Sequence, residues 1–249
     1  MSAPAITLLT DFGTADGYVA EMKGVLLSTA PGIPIIDVTH DVPAHDVEFA
    51  RLTLARYWRR YPAGTVHVCV VDPGVGSTRA ALAVSSGGQW FVGPDNGLLS
   101  PALFALDARA VALPIPDTAS TTFHGRDVFA PAAARLAIGD TLDDIGEEYA
   151  EPIRRRTPQP IRRNDGVIVG EVLTIDRFGN AITNLIARPG STVRIGELSL
   201  PVRRTYADVA EGTAIALTGS TGLIEVAIRN SSAATQYQLH IGQPIHLHS

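Results

Sequence analysis

The sequence predicts two domains: an α/β domain with a Rossmann-like, mainly parallel sheet, and a second domain that is all-β. Over residues 1–155, apolar runs of strand length alternate with segments of helical periodicity, which is typical of parallel strands covered by helices. Residues 156–164 are rich in Pro and Arg and lack periodicity, so we expect a linker there. Over residues 165–249, short β runs follow one another between Gly, Pro and Asn, which indicates a small sandwich or barrel.

The elements of the first domain follow from the spacing of its apolar residues. The first apolar run is followed by helical spacing at Val19, Met22 and Leu26, and Asp16 is the predicted N-cap of that helix. The second helix is amphipathic, and the third is rich in Ala. The predicted strands are Ile6–Thr10, Ile33–Val38, Thr65–Val71, Ala81–Ser85 and Trp90–Val92, and the predicted helices are Asp16–Ala30, Asp46–Arg60 and Arg126–Ile138.

The second domain is predicted from the density of its β runs. They are rich in Val, Ile and Leu, turn-forming residues separate them, and no helical periodicity lies between them. These runs are Val167–Ile175, Thr192–Ile195, Leu198–Val202, Ala214–Leu217, Leu223–Ile228 and Ile245–Leu247.

Composition limits the classes of function. The 249 residues are 45% hydrophobic and 18% charged, which is ordinary for a globular protein. The net charge is −5 and no long basic run occurs, so we expect no nucleic-acid partner. No apolar run approaches the length of a membrane helix, and the N-terminus lacks the basic start of a signal peptide. Cys69 lies in a predicted buried strand, which indicates a reducing compartment, so we expect a cytoplasmic protein without a membrane partner.

The histidines have no spacing that favours a metal site. His246 and His248 share one face of the last predicted strand, but no further ligand lies near them in the sequence. We therefore expect no metal.

Asp72 and Arg79 bracket a glycine-containing loop that directly follows the third predicted strand. In open α/β sheets, ligands bind at the carboxyl ends of the strands. If both side chains face one pocket, the guanidinium keeps the acid ionised and aimed, and such a carboxylate can orient or deprotonate water. Gly74 and Gly76 alone are weak evidence for a phosphate site, because neither a third glycine nor the Lys of a P-loop accompanies them.

Two further segments of the first domain place polar residues at the ends of predicted elements. Asp11 and Phe12 follow the first strand, where a carboxylate can accept both hydroxyls of a ribose or can merely cap a turn. His124 and Gly125 precede the third helix, a position that suits a ligand contact, although a satisfied surface histidine is the simpler interpretation of this segment alone. Asp95, within an Asn-Gly turn, is interpreted as structural.

In the second domain, an acid, an aromatic ring and an amide lie within five residues, at Asp176, Phe178 and Asn180. Such a set can hold an ammonium group, stack on a flat ring and read its hydrogen-bonding edge, or it can form only a β-turn. Ser220 lies at a loop-to-strand junction, where its hydroxyl can bind a carboxylate or close a turn.

These segments occur together and in order along nearly the whole chain, and the combination resembles the S-adenosyl-L-methionine (SAM) hydroxide adenosyltransferase family, the hydrolase relatives of fluorinase and chlorinase. The resemblance implies an N-terminal α/β domain and a C-terminal all-β barrel. It also implies that water attacks the ribose C5′ of SAM, giving adenosine and L-methionine without a cofactor. Family members are typically homotrimers with sites between the N-terminal domain of one subunit and the C-terminal domain of the next.

The resemblance also assigns site residues by motif. Asp72, Arg79 and His124 match the set associated with water activation, and Asp11 matches the acid that binds the ribose diol. The match is looser near Thr221, where Phe is commoner. The other implied substrate contacts are Asp176 and Ser220 near the methionine amino and carboxylate groups, and Phe12, Gly125, Phe178, Asn180, Glu225, Ile228 and Asn230 around the nucleoside.

Two alternatives remain from different classes. A halogenase of the same superfamily is the first, but such enzymes carry Tyr where Asp72 stands, and fluorinase carries Ser where Gly125 stands. A module that binds adenosine or SAM without turnover is the second. Plain binding does not require Asp72, Arg79 and His124 together, so the sequence favours the hydrolase.

Overall fold

A computed structural model describes residues 5–187 and 190–248 of the chain, which divides into two compact units. The N-terminal unit is Met1–Arg156 and the C-terminal unit is Thr157–Ser249, so the division falls within the predicted linker. Part of that linker, Ile161–Arg162, is a short strand paired with the next one along the chain.

The described part of the N-terminal unit contains seven strands and five α-helices. The strands are β1 (Ile6–Thr10), β2 (Ile35–Thr39), β3 (Val66–Val70), β4 (Ala81–Ser86), β5 (Gln89–Pro94), β6 (Arg109–Ala112) and β7 (Glu147–Glu148). The helices are α1 (Tyr18–Thr29), α2 (Val47–Tyr57), α3 (Ser100–Leu103), α4 (Ala130–Ile138) and α5 (Leu142–Ile145). The strand order is β2-β1-β3-β5-β4-β6-β7.

The sheet of the N-terminal unit is mixed. The pairs β1–β2, β1–β3 and β3–β5 are parallel, whereas β4 pairs antiparallel with both β5 and β6, and β6 pairs antiparallel with β7. The two-residue turn Gly87-Gly88 joins β4 to β5, and both glycines have positive φ, 57° and 72°. So tight a turn joins only antiparallel strands, which is why the parallel order stops there.

Side chains that alternate along the central strands form a core on each face of this sheet. In β1, Ile6 and Leu8 pack on one face with α1 and α4, and Leu9 packs on the other with α2 and α3. β3 alternates in the same way, so Cys69 is a buried free thiol. The sheet is therefore covered by helices on both faces, as the sequence predicts.

The helix ends differ in part from the predicted ones. Asp46 caps α2, because its Oδ1 accepts a hydrogen bond from Phe49 N at 2.8 Å. The prediction that Asp16 caps α1 is wrong: α1 starts later, so Gly17 occupies the cap position and makes no side-chain hydrogen bond. The third predicted helix starts as a π-helical turn, Gly125–Phe129, and continues as α4. Turns of this kind often lie at functional sites.

The C-terminal unit is a closed β-barrel, which confirms the predicted barrel and removes the sandwich alternative. Its described strands are β8 (Ile161–Arg162), β9 (Ile168–Ile175), β10 (Ala181–Thr183), β11 (Thr192–Ile195), β12 (Leu198–Arg203), β13 (Ala214–Thr218), β14 (Ile224–Ile228) and β15 (Pro244–His248), with a short helix α6 (Ala233–Tyr237). The order β10-β14-β13-β12-β11-β15-β9 closes because β10 also pairs with β9, and β8 is added to β9. The sequence prediction missed β10 and α6.

Apolar side chains from these strands fill the barrel; among them Val172, Val193 and Val226 are fully buried. Among the helices of the described residues, none has the length and hydropathy needed to cross a membrane.

Candidate active site

Two acids of the N-terminal unit follow the carboxyl ends of neighbouring parallel strands. Asp11 follows β1 directly, and Asp72 lies just after β3. Because β1 and β3 pair in parallel, with Thr10 opposite Val70, both acids lie at one edge of the sheet. This is the edge at which open α/β sheets bind ligands.

A cavity of about 250 Å³ opens at this edge. Carboxylates, two histidines and aromatic rings line it, so it offers both polar and flat apolar surfaces. The lining residues are Asp11, Phe12, Tyr18, Ala44, His45, Val70, Asp72, Val75, Thr122, Phe123, His124 and Gly125.

Arg79 holds Asp72 with a two-point contact. Arg79 Nε donates to Asp72 Oδ1 at 3.0 Å, and Arg79 Nη2 donates to Asp72 Oδ2. The two side chains are only 9% and 6% exposed, so solvent screens the pair weakly. The guanidinium also lies 5.4 Å from the centre of the Phe129 ring. The carboxylate of Asp72 is thus fixed in direction and paired with a cation.

The same guanidinium reaches His124. Arg79 Nη2 lies 2.8 Å from His124 Nδ1, and an arginine has only donors, so Nδ1 accepts and the neutral ring carries its proton on Nε2. Burial lowers the pKa of His124, and the positive charge of Arg79 lowers it further. His124 is therefore a neutral imidazole that offers an N–H, and Asp72, Arg79 and His124 form one connected set.

The loop between Asp72 and Arg79 packs on the segment that carries His124. Turn hydrogen bonds from Val75 N to Asp72 O and from Ser77 N to Gly74 O shape the loop. Gly76 has φ +75°, and a Cβ there would lie 2.5 Å from Thr121 O. Gly76 thus serves the close approach of two backbone segments, which brings Arg79 and His124 together.

Asp11 is oriented by the backbone of another loop. Its Oδ2 accepts a hydrogen bond from His45 N at 2.9 Å. His45 has φ 68°, a left-handed conformation that is uncommon for a residue other than glycine. Rare backbone conformations of this kind occur most often at functional sites. Asp11 and His45 both line the cavity.

Three aromatic rings pack together in the cavity wall. The ring centres of Phe12, Tyr18 and Phe123 lie 5.2–5.8 Å apart in pairs, with edge-on or tilted geometry. A Cβ at Gly125 would lie 3.1 Å from Phe123 Cε2 and 3.2 Å from Met22 Sδ. Gly125 therefore fits because a larger residue would push on this aromatic wall.

Several residues of this cavity were not predicted from the sequence, among them Tyr18, His45 and Thr122. His45 follows β2, the parallel neighbour of β1, so the strand order would have indicated it. Tyr18 and Thr122 carry no such signal, because only the packing of α1 and of the turn before His124 brings them to the cavity.

In the C-terminal unit, the turn between β9 and β10 groups three of the predicted residues. Asp176 Oδ1 accepts hydrogen bonds from Phe178 N and Asn180 N, both at 2.9 Å, and Asp176 Oδ2 accepts from Asn180 Nδ2 at 2.9 Å. Asp176 thus shapes the turn, as the structural interpretation expects. Phe178 is 75% exposed in this turn.

A chain of polar side chains continues from Asn180 through Tyr206 to Glu225. Tyr206 donates its hydroxyl proton to Glu225 Oε2 at 2.9 Å, so its oxygen accepts from Asn180 Nδ2 at 3.4 Å. Both NH₂ protons of Asn180 are then used within the unit, since Asp176 takes the other. Tyr206 was not predicted from the sequence.

The remaining predicted residues lie elsewhere in the barrel. Ser220 is exposed in the loop between β13 and β14. Ile228 is 2% exposed and belongs to the barrel core, which leaves only its backbone for a ligand. Asn230 has φ 61° and donates to Glu211 Oε1 at 2.8 Å.

The segment around Asp95, interpreted as structural from the sequence, has a supporting contact. Asp95 is 7% exposed and accepts a hydrogen bond from Ile153 N at 2.8 Å, and burial raises its pKa.

Over residues 5–187 and 190–248, no group of three or more His, Cys, Asp or Glu side chains is placed to hold a metal ion.

Several known proteins are similar to this chain over nearly its whole length. An (R)-S-adenosyl-L-methionine hydrolase from Thermus thermophilus is 43% identical, over 97% of this chain and 98% of its own. A fluorinase from Nocardia brasiliensis is 31% identical, over 96% and 95%. A crystal structure of an uncharacterised conserved protein from Thermotoga maritima has a TM-score of 0.89 and 31% identity, and it covers 98% of this chain and 100% of its own.

Two family models match consecutive parts of the chain. The SAM hydroxide adenosyltransferase N-terminal domain matches residues 6–146, and the C-terminal domain of the same family matches residues 170–246. The chain belongs to the SAM hydroxide adenosyltransferase family.

Proposed function

We infer that this protein hydrolyses S-adenosyl-L-methionine to adenosine and L-methionine by attack of water on the ribose C5′. The observation that carries this proposal is the connected set of Asp72, Arg79 and His124, of which Asp72 and His124 line a cavity at the ligand-binding edge of the sheet. The related hydrolase from Thermus thermophilus supports the choice of substrate.

The proposed reaction is a substitution at carbon. A C5′–O bond forms, the C5′–S bond breaks, and its electron pair goes to sulfur, which leaves as the neutral thioether of methionine. Because a sulfonium is a good leaving group, neither an acid at sulfur nor a cofactor is required. Water is a very weak acid and a poor nucleophile, so the site must orient and partly deprotonate it.

Each member of the set has a distinct part in this step. The Asp72 carboxylate accepts a proton from the water, which then passes to solvent. Arg79 pairs with the Asp72 carboxylate and fixes its direction through the two-point contact. His124 donates from Nε2 and completes the hydrogen bonding around the water, because its Nδ1 faces Arg79.

The same geometry favours hydrolysis over halogenation. A halide in this cavity would face the buried carboxylate of Asp72, and like charges in a poorly screened site repel each other strongly. The fluorinase from Nocardia brasiliensis is also a more distant relative, at 31% identity against 43% for the Thermus hydrolase.

The substrate-side roles extend to the other predicted residues. We propose that Asp11 binds the ribose diol, that Phe12 and Gly125 border the nucleoside, and that Asp176 and Ser220 bind the methionine end. Phe178, Asn180, Glu225, Ile228 and Asn230 complete the adenine side, Ile228 through its backbone.

A homotrimer in the cytoplasm is the proposed form of the enzyme. Each site would combine the N-terminal unit of one subunit with the C-terminal unit of the next. This assignment rests on the family resemblance.

The experiment that tests the reaction is product analysis in oxygen-18 water. Purified protein is incubated with SAM, with and without chloride or fluoride. The products are separated by chromatography, and their masses are measured by mass spectrometry. We expect methionine and adenosine with the label in the 5′-hydroxyl, independent of halide. A halogenated adenosine would identify a halogenase, and tight binding of SAM by calorimetry without methionine release would identify a binding module.

A further inference from the structure

Two buried polar side chains meet where β1 and β2 end. Thr10 is the last residue of β1, and His40 follows the last residue of β2. Thr10 Oγ1 lies 2.8 Å from His40 Nδ1, and the residues are 0% and 5% exposed. Neither is among the described residues that line the cavity, but Asp11 and Phe12, which directly follow Thr10, both line it.

The donors and acceptors of this contact are set by its neighbours. Asp37 Oδ1 lies 3.2 Å from His40 Nε2, and a carboxylate only accepts, so Nε2 is the ring nitrogen to which we assign the proton. Nδ1 then accepts, and the Thr10 hydroxyl donates to it. The Thr10 oxygen is left to accept from Phe12 N, which lies 3.3 Å away. Lys23 pairs with the other oxygen of Asp37 at 2.6 Å and supports this order.

Backbone hydrogen bonds join the same two segments. Gly13 N donates to His40 O at 2.8 Å, and Val42 N donates to Thr10 O at 3.4 Å. Gly13 has φ +65°, so the chain reverses sharply after Asp11 and depends on these contacts for its path. The contact of His45 N with Asp11 Oδ2 lies at the far end of the same segment.

We propose that His40 and Thr10 form a latch that positions Asp11 and Phe12 in the cavity wall. The pair touches no substrate: His40 and Thr10 are positioning residues for the ribose end of the cavity. The proposal rests on the proposed function for its effect on SAM. Because Asp11 holds the ribose equally before and during reaction, loosening the latch raises KM and leaves kcat nearly unchanged.

The chain contains a matched control pair. Thr7, on the same strand, places Oγ1 2.8 Å from Nδ1 of His67, and both residues are fully buried. Neither Thr7 nor His67 lines the cavity, and the residue that directly follows each of them does not line it either. Removing the Thr7 hydroxyl thus also removes a buried hydrogen bond between a threonine and a histidine. It lowers the stability of the protein but leaves the contacts of the Asp11 loop in place.

The test compares Thr10→Val, Thr10→Ser and Thr7→Val in the full chain. For Thr10→Val we expect KM for SAM to rise about threefold to tenfold, the range for one lost hydrogen bond, with kcat within about twofold. Thr10→Ser retains the hydroxyl and should restore the wild-type KM. Thr7→Val should lower the melting temperature and leave KM unchanged. A wild-type KM for Thr10→Val, or an equal rise for Thr7→Val, would overturn the latch.

Hydrogen exchange gives a second readout that is independent of turnover. In peptides that cover residues 11–13, the amides of Phe12 and Gly13 should exchange faster in Thr10→Val than in the wild type or in Thr7→Val. If Thr10→Val does not fold, His40→Asn, which keeps an acceptor near the Nδ1 position, is compared with His40→Leu. Wild-type protein that does not turn over SAM would reject the proposed function, whereas unchanged exchange in these variants would reject the latch.

Discussion

At the scale of single residues, one arginine determines the state of two partners. Arg79 has no acceptor atoms, so each of its contacts requires a lone pair on the other side. Asp72 meets this requirement as a carboxylate, and His124 meets it as a neutral imidazole. Protonation of His124 on Nδ1 would place a proton against the guanidinium, which is why Asp72 is the better candidate for the base.

Replacing the carboxylate of Asp72 by an amide tests that assignment. We expect Asp72→Asn to lower kcat about 100-fold or more, since an amide cannot take the proton from water, while adenosine still binds. Asp143→Asn is the matched control, because Asp143 also pairs with an arginine, Arg109, but its side chain is 67% exposed. Steady-state kinetics and a thermal melt of both variants check the expectation. Wild-type kcat in a folded Asp72→Asn protein would contradict the assignment.

His67 is a buried histidine that no proposed chemical step uses. Its Nε2 contacts Gln89 Oε1 at 2.7 Å, and burial lowers its pKa to about 4. The unfolded chain takes up this proton below its ordinary pKa of 6.5, whereas the folded protein does not until about pH 4. Stability contributed by the neutral form is therefore complete above pH 6.5 and decreases as the pH falls toward 4.

We expect this residue to make the free energy of unfolding depend on pH in that window. The loss amounts to about 3 kcal/mol between pH 6.5 and 4, from about 1.4 kcal/mol per unit of pKa difference. His67→Gln cannot titrate, so its stability should fall less over the same range. Urea unfolding at several pH values measures both slopes, and parallel slopes would show that another group carries the effect.

At the scale of elements, the site is assembled by loops that follow strand ends. β1, β2 and β3 are parallel neighbours, so the residues after them meet at one edge whatever their separation in the chain. The loop after β3 must also touch the segment before α4, and Gly76 permits that contact. Strands β4 and β7 run in the opposite direction, so their carboxyl ends lie at the other edge of the sheet.

Gly76→Ala should therefore affect both stability and activity. A left-handed alanine costs about 1–2 kcal/mol, and the Cβ would also lie 2.5 Å from Thr121 O, so the loop must shift away from His124. Gly32→Ala is the control, since Gly32 has φ +82° and no atom within 4 Å of the added Cβ. We expect the control to lose stability alone. Equal kcat/KM for the two variants would show that this close approach does not position the site.

At the scale of the whole molecule, each unit carries part of the proposed site. Under the proposed function, the N-terminal unit would supply Asp72, Arg79 and His124, and the C-terminal unit would supply the cluster around Asp176 and Asn180. In the proposed homotrimer, a complete site needs two chains.

Complementation between two inactive variants tests this arrangement. Asp72→Asn and Asp176→Ala are each expected to be nearly inactive, whereas mixed oligomers made by co-expression contain some sites with both residues intact. Activity should therefore return in the mixture, and light scattering should give the mass of three chains. Sites built within one chain would leave the mixture as inactive as its parents.

Local patterns in the sequence were enough for much of the fold. Apolar runs of strand length predicted the central strands, and the break near residue 156 separated the α/β unit from the barrel. The predicted residues Asp11 and Asp72 were recognisable because strand ends are visible in the sequence. By contrast, β10 has only three residues and α6 only five, too few to leave a periodic signal.

The sequence by itself determined the family, the two-domain organisation and the residues proposed to activate water, because these depend on residue types in a recognisable order. Only the tertiary structure decided which side chains share a hydrogen bond or a cavity wall. The contact of Arg79 with His124 spans 45 positions, and that of Thr10 with His40 spans 30. Such contacts come from strand order and close packing, which act between segments far apart in the chain and leave no local pattern.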